Sequence, residues 1–315
     1  MAAVPLLDRK LLFVTGKGGV GKTSMAAALA VLGVRQGKRV LVCEVDAKGN
    51  LADVLETGPT AFEEREVQPG LFAMSMDTEA SLREYLRLQV RIPLLARIGP
   101  LARTLDFIAN AAPGVKEIIT VGKFVWEVRE RHYDLVVVDA PATGHIVGQL
   151  NAPQAINELV SVGLIREQTD WMLDILRDPA TTGVVIVAAP EEMPVTESLE
   201  LIERLEETEV DVSAVIVNRV LPELFGRAEE EVYERLGEVS RDGALDGTLG
   251  VGLGPVLEGA RLAVTLRRTR AGHLARLRGG VPPGLDVLYV PELFNRTHGL
   301  RATHQIADAL AAELL

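Results

Sequence analysis

The segment Gly16-Lys17-Gly18-Gly19-Val20-Gly21-Lys22-Thr23 constrains the fold more than any other feature of the chain. It satisfies the pattern G-x-x-x-x-G-K-S/T. The run Leu11–Thr15 before it reads as a strand and Met25–Leu32 after it as a helix, which is the context the pattern requires. Glycines let backbone N–H groups turn inward around a phosphate, and the helix N-terminus adds the positive end of its dipole. Gly16, Gly18, Gly19, Val20, Gly21, Lys22, Thr23 and Ser24 are therefore expected to surround the phosphates of ATP. Lys22 would reach the β- and γ-phosphates, and the Thr23 hydroxyl would ligate Mg²⁺.

Other short runs of β-branched and aliphatic residues are Val40–Val45, Leu135–Asp139, Val184–Ala188, Ala214–Val217 and Val287–Val290, with Leu71–Met76 as a further strand. Runs without strict alternation suit strands covered on both faces, and strands alternating with helices predict a parallel sheet. The expected fold is α/β, a single doubly wound, mostly parallel sheet with residues 1–315 as one domain. Hydrophobic residues make up 48% and aromatics 4%, so its core is expected to be Leu, Val, Ile and Ala. Two stretches break the alternation. Residues 79–112 read as an inserted helical segment, cut at Pro93 and at Gly99-Pro100. The glycine-dense residues 242–259 read as an irregular loop, a plain connector or a lid.

Composition excludes several classes. There are 44 acidic residues against 33 basic ones, a net charge of −11, which disfavours nucleic acid as a partner. A lone cysteine, Cys43, allows no intrachain disulfide and no multi-thiolate metal site, so no zinc is expected. Met1–Lys10 has no signal-peptide core, and the longest apolar stretch, around Met25–Val34, is half of the ~20 residues that span a bilayer. The expected chain is cytoplasmic, with no direct membrane insertion.

Carboxylates complete the candidate site. Asp46 follows one strand and Asp139 ends another, where ligands bind in open α/β sheets. Asp46 can orient or deprotonate an attacking water, or it can simply cap the next helix. Asp139 closes an apolar run and is expected to hold Mg²⁺ through a water. Asn218 follows a buried strand, where its amide can face a purine edge or form a turn. The five histidines, His145 among them, are not at metal-ligand spacing.

The second lysine of the loop, Lys17, makes GKGGVGKT resemble the deviant Walker A loop of the ATPases that include nitrogenase iron protein, ParA, MinD and the arsenite-pump ATPase. That resemblance implies that Lys17 reaches across a dimer interface to the partner's nucleotide, as an arginine finger would; by itself the residue could be a solvated charge. Asp139-Ala140-Pro141-Ala142-Thr143-Gly144-His145 is similar to DTAPTGH, the switch II of the arsenite-pump and tail-anchored-protein-targeting ATPases. Asp46–Asp53, with Asn50, Leu51 and Asp53, is similar to their switch I, DPAHNLSD, but has Ala47, Lys48 and Gly49 in place of Pro, Ala and His. Pro113-Gly114-Val115, Ala189-Pro190-Glu191, Thr196-Glu197-Ser198 and Val217-Asn218-Arg219 extend the match through almost the whole chain. The resemblance implies that Lys17, Lys22 and Asp46 are catalytic, with Asp46 activating water. It implies that Asp46, Asn50, Thr143, Gly144 and His145 form the switches. It also implies that Asn218, Pro291, Glu292 and Leu293 hold adenine.

The chain departs from those relatives too. It lacks the Cys-x-x-Cys pair that binds zinc and the thiolates that bind arsenite, and the corresponding region, Leu266–Arg278, is arginine-rich. Such a charge run is a solvated face or a partner contact. A dimer would be assembled from separate chains, identical or paralogous. The reading is thus an ATP-driven dimeric switch that binds and releases an unknown protein client. Residues 79–112, rich in Leu and Ile with interleaved arginines, either build a groove for a client's hydrophobic segment, as in the targeting ATPases, or pack on the sheet. Two other functions stay open, an energising subunit of a membrane transporter and a ParA- or MinD-like spatial organiser. For the latter the tail His304–Leu315, without Lys or Arg, is poorly suited. Electron transfer fails for want of cysteines.

Overall fold

Each apolar run read as a strand forms one. The structure, a computed structural model, describes residues 4–46, 48–89, 114–160, 162–222, 231–232, 235–236, 253–294 and 298–314. Its strands are β1 Leu11–Gly16, β2 Val40–Glu44, β3 Arg65–Gln68, β4 Leu71–Ser75, β5 Leu135–Asp139, β6 Thr182–Ala188, β7 Val212–Val220 and β8 Asp286–Pro291. They make one sheet in the order β3-β4-β2-β5-β1-β6-β7-β8, parallel throughout except for the antiparallel β3–β4 pair. The helices are α1 Lys22–Arg35, α2 Asn50–Val54, α3 Thr78–Gln89, α4 Val115–Arg129, α5 Thr143–Leu159, α6 Leu164–Arg177, α7 Glu192–Glu206, α8 Leu253–Gly280 and α9 Gly299–Leu314.

β1, β2, β5 and β6 are buried at every position. Successive side chains leave opposite faces of a strand, so a sheet covered twice needs apolar residues at both parities. Leu12 and Val14 join one core layer with α1 and α9, while Leu11 and Phe13 join the other with α4, α5 and α7. Strand order reverses at β1, which lies between β5 and β6, so the crevice beyond its C-terminal end is the ligand position for such a sheet.

Two expectations need correction. The strand Arg65–Gln68 was not foreseen, because it is a short, charged edge segment with no apolar run, held by pairing with β4. Within the glycine-dense stretch 242–259, residues 253–259 are helix and open α8, whereas 242–252 lie outside the described residues. Pro255 falls in the first turn of α8, where its missing N–H costs nothing, and the glycines weaken the helix without breaking it.

Of the inserted segment, α3 carries the part up to Gln89; residues 90–112, with Pro93, Gly99 and Pro100, lie outside the described residues. The helix α9 buries Ile306, Ala307 and Leu310 in the layer of α1, and Arg35 pairs with Asp308 at 2.6 Å. Among the described residues no helix is long and apolar enough to cross a membrane.

Candidate active site

β1 leaves the sheet at Gly16, where φ is 148° and a Cβ would stand 2.1 Å from the Val187 carbonyl oxygen. Only glycine lets the loop start that close to β6. Gly19 and Gly21 are also left-handed, at 85° and 98°, and the space around Gly18 and Gly19 is open. Gly21 is the N-cap of α1, with no side-chain cap bond and no acidic residue in the first turn. The first N–H groups of α1 and its positive dipole end, at Lys22, Thr23 and Ser24, thus face the loop uncompensated, the arrangement a phosphate needs.

Lys22 Nζ lies 3.5 Å from the Lys17 carbonyl oxygen. Burial lowers its pKa, against the attraction of Asp139 and Asp46. Thr23 Oγ1 donates to Asp139 Oδ2 at 2.6 Å. Burial pushes the Asp139 carboxyl up to about 6, although the Thr23 hydrogen bond and Lys22 oppose the shift. A buried carboxyl raised in this way gains most from a cation beside it, so a hydroxyl and a carboxylate at this spacing fit Mg²⁺ that keeps several waters.

The strand ends bring a residue into the site that sequence reasoning missed. Glu44 stands opposite Asp139 in the β2–β5 register and is 1% exposed. Its carboxylate accepts from the backbone N–H of Gly49 at 3.1 Å and of Asn50 at 3.0 Å. Glu44 therefore anchors the segment after β2, and the alternative role of Asp46 as helix cap falls away, because Gly49 is the N-cap of α2. The signal was visible: a carboxylate inside an otherwise apolar strand. Asp46 itself is exposed and pairs with Lys48 at 3.6 Å. Cys43 is wholly buried, and burial pushes its thiol well above the ordinary range.

Glu197, on α7, is a second unforeseen member. Its Oε1 lies 2.6 Å from Lys17 Nζ, and its Oε2 accepts from Thr143 Oγ1 at 3.2 Å. One carboxylate thus joins the extra lysine to the first residue of α5. Gly144 and His145 follow on the exposed side, the backbone N–H of His145 donating to the Ala142 carbonyl at 2.9 Å. Asn50 is exposed at the start of α2.

Asn218 reaches the loop from β7, its Nδ2 donating to the Val20 carbonyl at 2.8 Å. Any Cβ at Gly21 would stand 2.5 Å from that nitrogen, so the glycine and the amide fit as a pair. Pro291 pairs with Val220, the Glu292 N–H donates to the Val220 carbonyl at 2.9 Å, and half-buried Leu293 packs on the α1 layer. Residues 291–293 therefore lie beside the end of the Asn218 strand.

A strand, a glycine loop, an uncapped helix start and a Thr–Asp pair at a sheet's switch point define an α/β P-loop nucleoside triphosphatase. The chain belongs to the anion-transporting ATPase family, whose model matches residues 9–172 and 162–235, and it is an ATPase. It is 31% identical over 321 residues to the ATPase BagA of Mycobacterium tuberculosis, covering 96% of this chain and 93% of that one. It is 28% identical over 248 residues to the ATPase get3 of Schizosaccharomyces japonicus (67% and 75% covered) and 26% identical over 270 residues to the ATPase ARSA2 of Chlamydomonas reinhardtii, 70% of each chain being covered.

Proposed function

We propose that this ATPase works as a dimer whose nucleotide state opens and closes an apolar cavity for a hydrophobic segment of a protein client. The observation that carries this reading is the course of α5. It begins at Thr143, bonded to Glu197 beside the phosphate loop, and ends at Leu159, a rise of about 25 Å. Near its far end lies a cavity of about 270 Å³, lined by Leu82, Ile118, Trp126, Ile156, Trp171 and Met172 among others. Leu159 and Val162 near that end are each 81% exposed, and Ile165 in the cavity wall is 52% exposed. An apolar cavity with an exposed apolar residue, Ile165, in its wall suits a binding site better than a solvent face. Pro153 within α5 removes one backbone donor and supplies a place for the helix to bend.

Buried beside the cavity, Lys123 meets Glu64 at 3.0 Å, Glu84 at 2.9 Å and Glu127 at 2.8 Å. Burial alone would lower its pKa, but the three carboxylates outweigh it and hold the ammonium above the ordinary lysine value. This cage ties α3 to α4 and gives the cavity one rigid wall, so that α5 and α6 form the side able to move. Residues 90–112, the rest of the segment read either as a groove or as packing on the sheet, lie outside the described residues.

In the proposed cycle the loop N–H groups and Lys22 bind the phosphates, and Thr23 and Asp139 hold Mg²⁺, which would neutralise charge on the transferring phosphoryl group. Asp46 orients the attacking water, Lys17 leaves Glu197 to meet the partner's nucleotide, and Glu197, released from Lys17, can shift together with Thr143 and the start of α5. Asn218 and residues 291–293 receive adenine. The family's description favours a second reading, an energising subunit of a membrane transporter, for which a co-purifying integral membrane protein would be the sign. The spatial-organiser reading is not favoured, since α9 turns its apolar face to α1.

The chain's two tryptophans, Trp126 and Trp171, both line the cavity, so intrinsic fluorescence reports on it directly. A non-hydrolysable ATP analogue with Mg²⁺ is expected to shift their emission and to change the affinity for an apolar helical peptide by about 5–150-fold. Unchanged emission and equal peptide affinity with and without the analogue would remove the coupling. Unaltered peptide binding by a folded Ile118→Ser variant would show that the cavity is not the peptide's site.

A further inference from the structure

Arg219 has a left-handed backbone, φ 59°, which residues with a side chain disfavour by roughly tenfold. It sits where the β7–β8 register shifts between Val217 and Val220. The kink turns Asn218 inward, where its Oδ1 accepts the Arg219 N–H at 2.8 Å while its Nδ2 holds the phosphate loop. Strained backbone of this kind persists only when its surroundings over-determine it.

Two contacts do so. The Glu292 N–H holds the Val220 carbonyl on one side. On the other, Arg270 Nη1 donates to the Arg219 carbonyl at 3.2 Å. Arg270 comes from the middle of α8, and its guanidinium lies 3.9 Å from Glu292 Oε2 and 4.0 Å from Glu191 Oε1. One side chain thus meets the segments at the ends of β6, β7 and β8. Solvation alone would not point an arginine at a carbonyl between two carboxylates.

We infer that Arg270 is a positioning residue for the nucleotide's base: by holding the Arg219 carbonyl and facing Glu292 it keeps β7 kinked and the Asn218 amide beside residues 291–293. The inference rests on the reading that Asn218 and residues 291–293 receive adenine. Inorganic tripolyphosphate offers the phosphates without a base, so the two affinities separate the ends of the site. R270A is expected to weaken ATP by about tenfold and tripolyphosphate by less than about twofold, with R270K in between. R219G added to R270A is expected to restore ATP binding to within about twofold, because glycine adopts positive φ without penalty and the Arg219 side chain is exposed. Melting temperatures confirm that each variant is folded, and R270K serves if R270A is not. N218A is expected to lower the ATP-to-tripolyphosphate preference in the same sense. If N218A lowers it while R270A does not, Arg270 has no positioning role and the base reading survives. If R270A weakens both ligands equally, or R219G restores nothing, its role is structural and the inference fails. If neither variant changes the preference, the base reading fails with it.

Discussion

Asp46→Asn is expected to bind ATP within about twofold of the wild-type affinity and to hydrolyse it about 10²–10⁴-fold more slowly. An amide keeps the size and polarity of the carboxylate but cannot take a proton from the attacking water. Asp46 is exposed and pairs only loosely with Lys48, so its replacement leaves the fold intact. Glu44, two residues earlier, is the informative contrast. It is buried and holds two backbone N–H groups, so Glu44→Gln is expected to disturb the whole segment and lower binding as well as turnover. Single-turnover hydrolysis beside equilibrium binding of a fluorescent ATP analogue separates the two. Wild-type hydrolysis by Asp46→Asn would show that another group handles the water.

Lys22→Ala is expected to lose ATP binding, by about 30-fold or more. Lys22 is partly buried between the Lys17 carbonyl and the Asp139 carboxylate, and burial already depresses its pKa. Its charge is thus poorly solvated and gains much from a phosphate. Without it Asp139 loses the nearest cation and rises further towards the neutral acid, which compounds the loss of Mg²⁺ affinity. Isothermal titration with Mg·ATP measures this; retention of wild-type affinity would show that the loop backbone and dipole alone hold the phosphates.

The sequence carried the sheet and the phosphate loop well, since both are written in contiguous residues. Leu11–Val14 is apolar at both parities because it is covered twice, and Gly16, Gly19 and Gly21 of the loop are needed for left-handed or crowded backbone. The edge strand Arg65–Gln68 was not legible, because pairing with β4, and not its own residues, makes it a strand. Glu44 was legible in principle, as a charge out of place. Glu197 was not: its meaning lies in Lys17 and Thr143, 180 and 54 residues away. The course of α5 from the phosphate loop to the apolar cavity likewise exists only in three dimensions.

The proposed dimeric cycle requires that Lys17, held by Glu197 at 2.6 Å in its own chain, act on the nucleotide of a partner. The direct test mixes Lys17→Ala with Lys22→Ala subunits and measures ATP turnover. Each variant alone is expected to be inactive. A mixed dimer contains one composite site with Lys22 from one chain and Lys17 from the other, so turnover is expected to return when the two are combined. Heterodimers that form, as shown by differently tagged chains, yet hydrolyse no ATP would contradict the account and place Lys17 in the site of its own chain.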